Sequence, residues 1–155
     1  MELFQALKER RSIRFYEDKA VELSKLNKIV EAATWAPTAG NAQTWFFIIM
    51  KEEQKLEDIK SFSPGILGSP KSIIVACTDF SKIKKTRTFN EDEGKILAII
   101  DLAMACENMM LAALEFGLGT CAIRSFNKVA VVEMLSLPEN IKPQLLITVG
   151  YDKVY

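Results

Sequence analysis

An α+β sandwich is the fold class that this 155-residue sequence predicts, and three observations carry the expectation. Apolar runs of strand length, such as Phe46-Phe47-Ile48-Ile49, are mixed with segments of helical period. The two kinds of segment do not alternate strictly, so helices laid on a sheet fit better than a doubly wound parallel sheet. One long apolar segment, Ile96 to Phe116, has the length and pattern of a central helix. No internal repeat or linker divides the chain. By length, residues 1–155 form one domain, large enough to bury a core without disulfides or metals.

Taken in order, Leu3, Phe4 and Leu7 share a helical face, which predicts a helix from Glu2 to Arg10. Phe15 to Lys19 reads as extended. Ser24 can cap a second helix whose Leu26, Ile29, Val30 and Ala33 lie on one side, and Pro37 ends it. Trp35 to Trp45 is a loop of small and amide residues between two tryptophans. Taken alone it reads first as a structural turn, although its small side chains would let backbone approach a flat ligand, and Asn41 and Gln43 offer donors and acceptors. Trp45 to Met50 is apolar throughout, as a strand covered on both faces should be. Glu52 to Lys60 predicts a surface helix, and Pro64-Gly65 and Gly68-Ser69-Pro70 bracket a loop before the strand Ser72 to Thr78. Asp79 to Glu93, with Lys82, Lys84, Lys85 and Arg87 in its first half, reads as a solvated, mobile connection. The helix Ile96 to Phe116 would be core and a possible subunit contact, with Gly117 ending it. Thr120 to Ile123 is a short strand, Arg124 to Asn127 a turn, Val129 to Leu135 a helix stopped by Pro138, and Gln144 to Val149 the last strand.

Composition excludes whole classes of chemistry. The chain has no histidine, which removes Ser-His-Asp and Cys-His catalysis, His-based zinc sites and proximal-histidine haem. Lys+Arg 20 against Asp+Glu 20 leaves no global field to draw a polyanion, and no aromatic residues interleave the basic run to stack bases, so nucleic acid is not an expected partner. Cys77, Cys106 and Cys121 are widely spaced in apolar surroundings and read as buried thiols of a reducing cytoplasm. Glu2, Lys8 and Glu9 interrupt any N-terminal apolar run, so no secretory signal is expected. Asp101, Glu107 and Glu115 make the long helix a buried soluble one rather than a membrane span. Gly117-Leu118-Gly119-Thr120 is only a fragment of a dinucleotide fingerprint, and it runs from helix to strand, so a Rossmann site is not expected.

The stretch that points to a ligand is Arg10-Arg11-Ser12-Ile13-Arg14. Three guanidiniums and a hydroxyl fall within five residues, and the nearest acids in sequence, Glu9 and Glu17, are too few to balance them. Guanidinium forks match phosphate oxygens two at a time, and hydroxyl or backbone N–H groups add donors. The motif alone fits a bound anion and a solvated basic turn equally.

Three motifs in this order resemble the nitroreductase family, and the likeness runs nearly end to end. Arg10 to Arg14 resembles its phosphate-binding segment, Ala36 to Trp45 its Ala-Pro-Ser-x-x-Asn-x-Gln-Pro-Trp loop, and Glu107 to Ala113 with Gly117 to Thr120 the end of its central helix. The resemblance implies a central mixed, mainly antiparallel sheet flanked by helices, and a homodimer with FMN at the interface. It implies an FMN-dependent oxidoreductase that takes hydride from NADH or NADPH and passes it to a small acceptor, a nitroaromatic, quinone or enone, in ping-pong fashion. Carried over by position, Arg10 and Ser12 would bind the FMN phosphate, Arg11 the phosphate and ribityl side, and Arg14 the pyrimidine end. Pro37, Thr38, Ala39, Asn41 and Gln43 would approach from the other subunit. Ala122, Ile123, Arg124 and Ser125 would pass near flavin N5. Lys153 is a weak substitute for the C-terminal basic residue that family members place on the phosphate, and Ser125 stands where the family often has a glycine, with the unusual Arg124 beside it. A non-catalytic FMN-binding or storage protein, and a relative using reduced flavin for another reaction, are the alternatives.

Overall fold

The computed structural model describes residues 1–83 and 90–153. In chain order the elements are α1 (Leu3–Glu9), α2 (Leu23–Ala33), β1 (Trp45–Met50), α3 (Glu53–Ser61), β2 (Ser72–Asp79), α4 (Glu91–Glu115), β3 (Gly119–Ile123), α5 (Lys128–Met134) and β4 (Ile141–Gly150). The strands form one antiparallel sheet in the order β1-β2-β4-β3. Among the described residues the parallel pairing is an isolated bridge between Ser12 and Thr120.

Every residue of the central strand β2 is buried, and its alternation divides the core. Ile74 and Ala76 face α2 and α4, where Leu26, Ile29, Leu102, Ala105 and Met109 pack. Ile73, Val75 and Cys77 face α3 and α5, meeting Leu56, Ile59 and Val131. The result is a helix-sheet-helix sandwich, the α+β class expected.

Several elements differ from expectation in instructive ways. β1 is not covered on both faces. It is an edge strand, only partly buried, with Phe46 42% exposed. A uniformly apolar run cannot by itself say whether its cover comes from the same chain. Ser24 is not the cap of α2. The helix begins at Leu23, two residues earlier than a Ser24 cap would start it, after Glu22, with no side-chain cap. α4 begins at Glu91, inside the segment expected to be a loose connection. Asn90 accepts from the Glu93 N–H while the Glu93 carboxylate accepts from the Asn90 N–H, a reciprocal capping box, with Glu91 and Asp92 also favouring the positive helix end. Lys84, Lys85 and Arg87 of that segment lie outside the described residues. β4 extends three residues further back, to Ile141.

At 25 residues α4 is about 37 Å long. Its length and hydropathy would suit a membrane span, yet it packs along α2 and against β2 and β3. Its buried stripe runs through Ala98, Asp101, Leu102, Ala105, Cys106, Met109 and Ala113. An apolar stripe is left outside: Ile96, Ile99, Ile100 and Met104 are 58, 43, 49 and 37% exposed. Helix α1 does the same. Of its residues only Ala6 is buried, so the face formed by Leu3, Phe4 and Leu7 is not packed within the chain.

Candidate functional site

Helix α1 stops at Arg10, whose backbone is extended, and the chain then runs beside β3 as a rudimentary extra strand. Ile13 donates its N–H to the Thr120 carbonyl at 2.9 Å, and its side chain packs where Gly119 has no Cβ; a side chain there would collide with Ile13. Tyr16 pins the far end. Its buried hydroxyl lies 2.6 Å from Thr148 Oγ1 and donates to the Ile13 carbonyl, and burial pushes the phenol pKa well up, so the group stays a neutral donor. With Ile13 turned inward, Ser12 and Arg14 face out, as does Arg11.

The three guanidiniums are not equivalent. Arg10 Nε lies 3.2 Å from the Glu107 carboxylate of α4. This corrects the expectation that no protein acid balances the cluster: the partner is distant in sequence and close in the fold. Arg11 donates to the Lys8 and Arg10 carbonyls, and Arg14 to the Ser12 carbonyl at 3.3 Å. No carboxylate pairs with either among the described residues. Two free cations and an exposed serine are a donor set that fits a phosphate monoester.

Arg14 also lines a groove of about 380 Å³ beneath β3, together with Ala122, Ile123, Arg124 and Ser125. The opposite wall is the loop carrying Gly65 and Leu67. That wall is fixed by backbone contact. A Cβ on Gly65 would strike Ser125 and Ile123, and one on Gly68 would strike the Arg14 carbonyl. Gly65 and Leu67 were not among the sequence-derived site residues, and Cys121, also in the groove, was read only as a buried thiol. The Pro-Gly and Gly-Ser-Pro bracket marked a loop but gave no sign of which strand it would meet.

The remaining motif lies elsewhere on α4. Ala39 donates its N–H to the buried Asp101 carboxylate at 2.9 Å, and the turn Ala39–Asn41 rests on that helix. Gly40, Asn41 and Gln43 have left-handed backbones, with φ of 58, 52 and 49°. Such a run is costly for Gln43 in particular and is a feature of ligand-facing loops. Gln43 N donates to Thr38 Oγ1 at 3.2 Å, and Gln43 Nε2 to Asn41 Oδ1 at 3.0 Å. The two amides thus bond each other in part, leaving one donor and one acceptor edge outward. Pro37, Asn41 and Gln43 are exposed; Thr38 and Ala39 are half-buried. Within one chain the groove is not lined by any of these five residues. Asp101 and Glu107, the anchors of the two motifs, are six residues apart on α4, about 9 Å along its axis and about a third of a turn around it.

Residues 7–72 and 60–151 match the nitroreductase family. A relative from Archaeoglobus fulgidus, bearing the name NADH dehydrogenase/NAD(P)H nitroreductase, is 33% identical over 93% of this chain and 82% of its own length. The FMN reductase [NAD(P)H] of Bacillus subtilis is 27% identical over 97% of this chain and 66% of its own. The crystal structure of a nitroreductase family protein from Clostridium difficile 630 superposes with a TM-score of 0.88 at 31% identity, covering 100% of this chain and 87% of that one.

Proposed function

The chain belongs to the nitroreductase family and is an NAD(P)H-dependent oxidoreductase, and from that premise we propose that it works with FMN, as a homodimer, on small organic acceptors. The observation that carries the FMN reading is the pair of guanidiniums, Arg11 and Arg14, that no carboxylate among the described residues neutralises, beside a groove along β3. The FMN-reductase name of the B. subtilis relative supports it. FMN, when bound, supplies a centre that accepts hydride from the nicotinamide and gives it up to an acceptor.

The protein's own part is binding and electrostatics. Arg10, Arg11 and Ser12 would hold the phosphate, with Arg10 reaching it by the guanidinium nitrogens not turned to Glu107. Arg14 would place positive charge against the flavin's pyrimidine end and favour the reduced, anionic ring. The outward backbone of Ala122 to Ser125 would flank the reacting side. Orientation rather than acid-base catalysis is what hydride transfer requires, so the lack of histidine costs nothing here.

The dimer is proposed from α1 and α4, whose Leu3, Phe4, Leu7, Ile96, Ile99, Ile100 and Met104 stay exposed instead of entering the chain's own core. A twofold partner would bring Pro37, Thr38, Ala39, Asn41 and Gln43 to the other chain's flavin. Three free, buried cysteines, with Cys77 and Cys106 pushed up to about 12 by burial, suit a cytoplasmic protein.

FMN titration into the purified chain, followed by anaerobic NADH or NADPH, tests the reading. Uptake of one flavin per chain and bleaching of its visible absorption are expected. Uptake without bleaching would mark a storage protein instead. Analytical ultracentrifugation should show a dimer.

A further inference from the structure

Arg124 stands apart from the other arginines. It is exposed, directly follows β3, and has no carboxylate partner among the described residues. Its guanidinium carbon lies 5.9 Å from the centroid of the buried Phe126 ring. Stacking of this kind steadies the fork and leaves its N–H edges available. Arg14 lines the same groove, and no acidic residue does. Ser125 adds an exposed hydroxyl, while Ala122, Ile123 and the 57% exposed Leu67 make the rest of the surface apolar. Lys128, at the start of α5, turns its ammonium to Gln144 Oε1 at 2.7 Å. Burial lowers its pKa, and the charge of Arg124 lowers it further.

An apolar slot rimmed by cations is complementary to a flat molecule that carries a negative group. We infer that Arg124 is a specificity-determining residue, selecting substrates with a carboxylate or phosphate over neutral ones of the same shape. The inference rests on the groove being the place where substrates meet the flavin. The anion has two possible sources, a carboxylated acceptor or the 2′-phosphate of NADPH, and both present the same chemistry to a guanidinium.

The test uses wild type, Arg124→Gln and Arg124→Lys, loaded with FMN. Each is assayed with 4-nitrobenzoate and 4-nitrobenzamide as acceptors, and with NADH and NADPH as donors. In Arg124→Gln the ratio of kcat/KM for carboxylate over amide should fall about 5- to 10-fold, with Arg124→Lys restoring most of it. A fall confined to the NADPH over NADH ratio assigns the anion to the donor. If neither ratio moves by more than about twofold, within the range of a surface charge of no account, the inference is overturned. Benzoate and benzamide titrated by NMR into each protein, with and without FMN, read the same preference without turnover. Equal affinity of the wild type for the two together with an unmoved NADPH over NADH ratio, or a benzoate preference that survives in Arg124→Gln, overturns it as well. Failure of flavin uptake or bleaching would instead sink the oxidoreductase reading, and the benzoate arm would still decide the role of Arg124.

Discussion

Asp101 and Glu107 are carboxylates on one helix, each tying down one of the two motifs, and they do so under opposite conditions. Asp101 is 4% exposed and accepts a neutral backbone N–H from Ala39. Glu107 has a side chain 42% exposed and meets a charged guanidinium. The pair that would look stronger on paper, cation against anion, is the weaker anchor, because water screens it and both side chains lose freedom to form it. The buried carboxylate, by contrast, leaves an amide without a partner if it is removed. The Asn41 loop is therefore fixed for structure, whereas the Arg10 segment is held lightly enough for an outside anion to compete.

Asp101→Ala should give the largest effect, a loss of about 2–3 kcal/mol in urea unfolding, with Asp101→Asn, which keeps an acceptor, losing clearly less. If Asp101→Ala and Glu107→Ala cost the same, the contrast collapses. Next, Arg11→Ala and Arg14→Ala should each weaken FMN binding about tenfold in a fluorescence titration, at about 1.5 kcal/mol for a charge-assisted bond. A smaller gain is expected at Thr44, 2% exposed, whose hydroxyl has no hydrogen-bond partner among the described residues. Thr44→Val should raise stability by about 0.5–1 kcal/mol, since it removes a buried unpaired oxygen and nothing else. Glu107→Gln should change stability by less than about 0.5 kcal/mol while tightening FMN binding slightly, because Arg10 is freed.

The smallest effect concerns a third acid. Glu22 is held down to about 2, first by a backbone hydrogen bond, then by the Tyr151 hydroxyl and Lys25. Its folded pKa lies below its ordinary value of 4.5, so its contribution is complete above that value and disappears as pH falls towards 2. An NMR titration should find the low midpoint, and Tyr151→Phe should raise it.

The elements legible in the sequence were those whose surroundings come from the same chain. β2 and β4 read correctly as apolar strands because the helices on both faces are local products of the same pattern. α4 was legible by its small and apolar residues, but its start was not: Asn90 and Glu93 sit three apart, a capping-box spacing hidden in a charged run. α1 was legible as a helix, whereas β1 was misjudged because apolar character records burial without recording who supplies it. In the site, the arginine segment and the Asn41 loop were visible as motifs. The pairing of Arg10 with Glu107 and the Leu67 wall were not, since both join positions far apart in the chain. Thr44 departs from the proline of the motif it resembles, and the hydroxyl is the misfit that results.

Gly65 and Gly68 press their bare backbone against Ser125 and Arg14. A methyl group at Gly68 would meet the Arg14 backbone and prise the loop from that segment, whereas one at Gly65 would force the Ser125 and Ile123 side chains to move. The spacing of the walls is therefore set largely by bare backbone, and the chemistry of the cleft can be retuned without moving them through its exposed side chains, Leu67 and Arg124 foremost.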